Sequence, residues 1–472
     1  MNRRKFFRNG SLFTLGATLL NPLEGSAHVV DLNTLHKNKK AKNIIFMVSD
    51  GMSTGTLNMA DLYLNRKTGK GSNWLQLYKD QRISHALMDT ASASSIVTDS
   101  SAGSSSWGGG VRVKNGVLNV GPNGEKYMPI WQKFKKAGKM AGCVTTVPIT
   151  HATPAGFCVT NDSRNAQEDI AQDYLNLGFD IMMGGGDKYF NAELRKDKAD
   201  MYAAYKAKGW QVVKTKQQML AANNDKPVLG VFAEDGLPYS IDRKNDAALE
   251  STTPTLAEMA QKAIDRMKGH KNGFVLQIEG GKVDWGAHAN DVGALLYDQV
   301  AFDEAIKVAL DFAEKDKETL VIITTDHGNA NPGVIYGKDA NDNFDSIQKY
   351  THTNEWILNE IKPDFTVAKV RELIEMANGK TIAEEDAKTI LTYYDGLHKE
   401  DGGLYNYKKV PFKAFAQIQQ KNNSVGWISM DHSADYVNLA MFGPGSELLK
   451  PFVKNTDLHY LMLQAAEVEN KF

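Results

Sequence analysis

Five apolar runs constrain this chain more than any other feature, because each ends where chemistry-bearing residues begin. Residues 43–52 read Asn-Ile-Ile-Phe-Met-Val-Ser-Asp-Gly-Met, an apolar run that stops at Asp50. Residues 140–147 lead into Thr150-His151-Ala152-Thr153-Pro154, and residues 179–183 into a Gly-Gly-Gly-Asp turn. Residues 274–278 run into Glu279-Gly280-Gly281, and residues 320–325 into Asp326-His327-Gly328. A continuous apolar run of this length suits a parallel strand buried on both faces. Helix-like segments separate the runs, for instance residues 254–267 and 292–312. Alternating strands and helices predict an α/β fold: a three-layer sandwich with a central, mostly parallel sheet flanked by helices. In such sheets ligands bind beyond the carboxyl ends of the strands. The acids and histidines of this chain collect there.

The remaining segments bound the domain plan. The 472 residues, 42% of them hydrophobic, suffice for one large domain with insertions or for two to three smaller ones. A net charge of −1 leaves no basic field, so no nucleic acid is required as a partner. Residues 1–27 read as an export signal: a basic start with Arg3-Arg4, an apolar stretch, then Gly25-Ser26-Ala27 as a cleavage site. The arginine pair before Phe6-Phe7 points to the twin-arginine route, with an ordinary secretory signal as the alternative. Export implies a periplasmic or extracellular protein, and no later run reaches the length of a membrane span. Cys143 and Cys158 lie in no metal-type spacing; they either pair after export or stay as buried thiols. Residues 330–424 break the strand–helix rhythm with Lys, Asp, Asn and Tyr. They read as an insertion over or beside the site, without a core of its own, either a substrate-facing cap or a solvated appendage.

The strand ends and the turns after them supply Asp50, His151, Glu279, Asp284, His288, Asp326, His327 and His432. Asp284 and His288 stand at i, i+4, so one helical turn puts both on one face. Asp326-His327 closes a run that should be buried, and a buried charged pair is costly unless partners or a cation compensate it. Mixed Asp/His ligation suits zinc, whereas oxygen-only sites suit magnesium. One further stretch stands out: Val97-Thr98-Asp99-Ser100-Ser101-Ala102-Gly103, followed by Ser104-Ser105. Small residues after Asp-Ser leave room for a substrate, and a helix starting there would turn its first N–H groups to an anion. Read locally, the same stretch is also a Ser-rich loop or a helix cap.

Taken together, these motifs resemble the bacterial alkaline phosphatases, over nearly all of the chain from Asn43 onward apart from the insertion. The resemblance implies that fold, and hydrolysis of phosphate monoesters to an alcohol and inorganic phosphate through a phosphoserine at Ser100. It implies two zinc ions and one magnesium ion. Asp284, His288 and His432 would hold the first zinc; Asp50, Asp326 and His327 the second; Asp50, Thr153 and Glu279 the magnesium. Arg164 would bind the phosphate, and a homodimer is the family's usual state. His151 and Trp285 stand where the best-known enterobacterial form has Asp and Lys, as in marine and cold-adapted members. His151 would then weaken the third site, binding through water, and Trp285 would face the substrate without a charge. Arg164 as a surface ion pair and Thr153 as a turn hydroxyl remain alternatives, and Asp99 either orients Arg164 or caps the helix. So do two other functions: a phosphodiesterase or sulfatase of the same superfamily, or an exported metal- or phosphate-binding protein without turnover.

Overall fold

The computed structural model describes residues 40–400 and 402–471. The export signal expected at residues 1–27 lies outside them. A ten-stranded sheet forms the middle of the molecule. Its strands are β1 (Asn43–Val48), β2 (Ser84–Asp89), β3 (Met140–Pro148), β4 (Ile181–Gly185), β5 (Gln211–Val213), β6 (Val228–Val231), β7 (Phe274–Glu279) and β8 (Thr319–Thr324). After two-residue strands β9 (Gly328–Asn329), β10 (Gly333–Val334), β11 (Val425–Gly426) and β12 (His432–Ser433), the sheet is completed by β13 (Val437–Phe442) and β14 (Phe452–Lys454). The spatial order is β14-β2-β13-β8-β1-β7-β3-β4-β6-β5. Only β13 runs antiparallel to its neighbours, β2 and β8.

Both faces of the sheet are covered, as the continuous apolar runs require. In β1, Ile45 and Met47 enter one apolar cluster, and Ile44, Phe46 and Val48 enter the other. The first cluster includes residues of the helices Thr54–Thr68, Leu256–Met267 and Val292–Asp316. The second includes residues of Ile130–Lys136, Gln167–Leu177 and Asp457–Ala466, with Trp107 of the helix Ser100–Gly109. This is the three-layer sandwich that the strand–helix alternation predicts.

The strand order places the site. Strands β8, β1, β7 and β3 are consecutive parallel neighbours. Their carboxyl ends therefore sit side by side, and the residues that follow them meet although they are far apart in sequence.

The segment 330–424 differs from expectation in one respect: it has an apolar core of its own. Its helices Asn354–Glu360, Val367–Asn378, Glu384–Leu391 and Phe412–Asn423 enclose a cluster with Ile357, Val370, Ile374, Ile390 and Phe415. Each helix contributes few apolar residues, but at helical spacing, as in Val370, Ile374 and Ala377. The β10–β11 ladder closes the base of the segment, pairing Gly333 with Gly426 and Val334 with Val425. Ala289, next to His288, belongs to the same cluster.

Candidate active site

Ser100 opens the buried helix Ser100–Gly109, and Asp99 is its N-cap, accepting the Ala102 N–H at 2.9 Å. That carboxylate thus takes one of the helix's first N–H groups, all of which the sequence would have turned to a ligand. The other Asp99 oxygen accepts from Arg164 Nη1 and from the Gly116 N–H, each at 3.0 Å. Burial pushes the Asp99 carboxyl up, but Arg164 and these N–H groups outweigh it and hold the group below its ordinary range. Arg164 Nη2 lies 3.2 Å from His151 Nε2, so that ring nitrogen is the acceptor. Burial and the Arg164 charge hold His151 neutral, its pKa lowered to about 3.

The acids and histidines converge in three groups, and within each group one candidate ligand atom per residue lies within 4.8 Å of the others. The first is Asp284, His288 and His432. His288 Nδ1–H donates to the Met430 carbonyl at 2.7 Å, and His432 Nδ1–H to the Thr98 carbonyl at 2.9 Å. Carbonyls only accept, so each ring carries its proton on Nδ1 and turns a lone pair inward from Nε2. Those two Nε2 atoms are 3.1 Å apart and face the Asp284 carboxylate at 3.5 and 3.6 Å. Two lone pairs and an anion at these distances repel one another unless a cation lies among them. Asn329 Nδ2 holds Asp284 Oδ1 at 2.7 Å. Gly51, at φ +66°, permits this packing: a Cβ there would lie 2.3 Å from Asp284 Oδ1.

The second group is Asp50, Asp284 and His327. Asp326 adjoins it, with Oδ2 3.2 Å from His327 Nε2, so the structure places both Asp284 and Asp326 where the resemblance implied Asp326. Ser100 Oγ lies 3.3 Å from the same His327 nitrogen. The third group is Asp50, His151 and Glu279, with Thr153 Oγ1 donating to Asp50 Oδ2 at 3.0 Å. His151 thus stands at the third group, with the lone pair of its Nε2 engaged by Arg164. Trp285 stands beside it, edge-on to the His151 ring with centroids 6.2 Å apart.

The chemistry of this donor set fits metal ions. Asp50 Oδ1, both Glu279 oxygens, Asp326 Oδ2 and Nδ1 of His151 and His327 are buried with no hydrogen-bond partner. Burial and the neighbouring Asp326 and Asp284 carboxylates push Glu279 up to about 8, and Asp50 is raised by burial and the same neighbours. An orphaned buried carboxylate is expensive, and a divalent cation answers several at once. Every site residue read from the sequence lies in or against this cluster. Asn329 and the carbonyls of Thr98 and Met430 were missed. Asn329 lies two residues beyond His327, the one local signal for it; backbone carbonyls leave none. Both cysteines are free and buried within the second apolar cluster.

A doubly covered sheet that delivers a buried serine and three acid–histidine groups to one end defines a metal-dependent hydrolase. The sequence profile described as alkaline phosphatase matches residues 41–468, and the chain belongs to the alkaline phosphatase family. It is 32% identical over 423 residues to alkaline phosphatase 4 of Bacillus subtilis, covering 88% of this chain and 87% of that protein. The Thermus thermophilus alkaline phosphatase structure superposes with a TM-score of 0.84 at 31% identity, covering 96% of each chain. A cold-active alkaline phosphatase from a psychrophilic Shewanella gives a TM-score of 0.76 at 25% identity, covering 90% of this chain and 99% of that one. The family is one of phosphomonoesterases, and the chain is an enzyme of that class.

Proposed function

We propose that this enzyme hydrolyses phosphate monoesters through a phosphoserine at Ser100. The observation that carries this reading is Ser100 Oγ at the start of a buried helix, 3.3 Å from a histidine of the second acid–histidine group. Asp284, His288 and His432 would hold one zinc ion and Asp50, Asp326 and His327 another, with magnesium at Asp50, Thr153 and Glu279 and His151 beside it. When bound, these ions supply Lewis acidity: they lower the pKa of the serine hydroxyl and of water, and neutralise the charge on the departing alcohol.

The chain's own residues do the rest. Ser100 Oγ attacks phosphorus, the bond from phosphorus to the alcohol oxygen breaks, and the phosphoryl group stays on Ser100. Water then attacks phosphorus from the opposite side, the Oγ–phosphorus bond breaks, and inorganic phosphate leaves. Arg164, aimed by Asp99, binds the non-bridging oxygens through its fork of N–H donors. Its position between Asp99 and His151 supports this role over a surface ion pair.

Residues 330–424 serve as a cap within one domain spanning 28–472; Trp356 and Glu355 face the same cavity as Trp285 and His288, which supports that reading. Export through a twin-arginine signal and assembly as a homodimer complete the proposal. Among the described residues no helix is long and apolar enough to cross a membrane.

The decisive test is p-nitrophenyl phosphate hydrolysis by the zinc- and magnesium-loaded enzyme, beside the bis-ester and the sulfate ester. Ser100→Ala should lower kcat for the monoester by about 1,000-fold or more and abolish labelling of the protein by radioactive phosphate. Unchanged turnover in that variant sinks the serine assignment, and preferential cleavage of the bis-ester replaces the monoesterase with a diesterase.

A further inference from the structure

A cavity of about 830 Å³ begins where the first metal group ends. His288 and Trp285 form its inner wall, and Glu355, Trp356 and Tyr407 of the inserted segment form its outer wall. Its volume is that of a small-molecule site. A phosphoryl group needs little space beyond the metal cluster, so this room serves something else.

One group in it is conspicuously under-served. Lys282 is 5% exposed, yet its ammonium has no hydrogen-bond acceptor and no ion-pair partner among the described residues. Its Nζ lies 3.6 Å from the centre of the Tyr239 ring and 4.6 Å from that of Trp285. Two π faces hold the charge in place, but they leave its N–H donors without acceptors. Burial lowers its pKa from the ordinary lysine value, and the carboxylates of Glu355, Asp298, Asp235 and Asp242, all beyond ion-pair distance among the described residues, offset only part of that. Trp285 is fixed from behind, since a Cβ on Gly236 would lie 2.9 Å from its indole.

The lining defines an occupant. Aromatic walls favour a flat ring system. The ammonium, which opens onto the cavity, offers its donors to an acceptor atom on that ring. Glu355 and Glu360, which have no cation within ion-pair distance among the described residues, accept from hydroxyls or amines and disfavour a second anion. A neutral heteroaromatic alcohol of nucleoside type meets all three demands; a plain sugar lacks the ring, and a bisphosphate carries the wrong charge.

We propose that this recess receives the alcohol half of the substrate, and that Lys282 selects nucleoside-type alcohols by donating to a ring acceptor. The inference rests on the hydrolytic reading above, in which the alcohol departs beside Asp284, His288 and His432. From there His288 leads directly into the recess.

The test compares kcat/KM of the metal-loaded full-length enzyme for adenosine 5′-monophosphate, glucose 6-phosphate and ethyl phosphate. In Lys282→Met the ratio of adenosine monophosphate to ethyl phosphate should fall about tenfold, the size of one lost charged hydrogen bond. The ratio of glucose 6-phosphate to ethyl phosphate should move less than about twofold, within the spread of interactions that were never made. An adenosine monophosphate ratio that does not fall overturns the proposal, and so does an equal fall for glucose 6-phosphate. If Lys282→Met does not fold, Leu404→Trp, which narrows the mouth of the recess, decides instead: a selective loss for the nucleotide supports the proposal and no loss overturns it. Wild-type enzyme that cleaves none of the three esters would overturn the hydrolytic reading. Adenosine binding by calorimetry, present in wild type and lost in either variant, would then judge the recess alone.

Discussion

The two oxygens of Asp99 face different ways, one toward the Ala102 N–H and one toward Arg164, so a single carboxylate both starts the Ser100 helix and aims the arginine. From sequence, capping and orienting Arg164 stood as alternatives, because a cap is a local signal whereas Arg164 is 65 residues away. The geometry makes them compatible. It also separates what each residue contributes. In Arg164→Ala, Asp99 still accepts from Ala102, Ser101 and Gly116, so no buried carboxylate is stranded. Stability should change by about 1 kcal/mol or less. The KM for a monoester and the inhibition constant of inorganic phosphate should each rise about tenfold or more, the loss of charge-assisted hydrogen bonds to the phosphoryl oxygens. Steady-state kinetics with phosphate as product inhibitor, beside a thermal melt, checks both halves. A large stability loss with unchanged KM would return Arg164 to a structural ion pair.

Among the elements, the central strands were legible because burial on both faces writes an unbroken apolar run, as in Ile44–Val48 of β1. The strands β2, β5, β6 and β14 were missed. β2 is polar and half-exposed, while β5, β6 and β14 have only three or four residues, too few for a period to show. The core of the inserted segment was missed for a related reason: its apolar residues are spread over four short helices. One side chain ties that segment to the site. Asp291 Oδ1 caps the helix Val292–Asp316 through Ala294 N, and Oδ2 accepts from Asn354 N at 2.6 Å, at the start of the helix Asn354–Glu360. Asp291→Asn keeps only one acceptor oxygen and turns an amide N–H₂ toward one of the two helix starts. We expect a loss of about 1–3 kcal/mol in stability, the cost of a lost cap and an unsatisfied buried group. Limited proteolysis should then cut within 330–424 sooner than in the parent enzyme. Unchanged protection there would mean that the segment is held by its own core alone.

At the scale of the whole molecule, four carboxylates, Asp50, Glu279, Asp284 and Asp326, are gathered at the ends of adjacent strands and buried together. Periodicity disclosed each strand end, but not that β8, β1, β7 and β3 are neighbours; adjacency in a sheet is a long-range property that no local pattern records. That adjacency has a thermodynamic consequence. Glu279, raised to about 8 first by burial and then by Asp326 and Asp284, binds a proton in the metal-free fold far above the pH at which an unfolded glutamate releases it. Asp50 is raised in the same sense. A group raised on folding stabilises the fold fully below its unfolded pKa and loses that contribution as pH rises through its folded pKa. Below about pH 6.5 the histidines held neutral by the fold, His151 at about 3 and His432 at about 4, oppose this loss, so the metal-free protein should weaken chiefly from about pH 6.5 to pH 8. Asp284 and Asp326 are lowered despite their burial, chiefly by the neighbouring histidines, so their contributions fade only at acid pH, outside this window. Bound cations take the place of the protons on these carboxylates and remove the penalty. The gap in melting temperature between metal-loaded and chelator-treated enzyme should consequently widen from pH 5 to pH 9, by an amount on the order of a few kcal/mol in stability. Scanning calorimetry of both forms at several pH values measures it, and a gap that stays constant or narrows would mean that these carboxylates are not neutralised by metal.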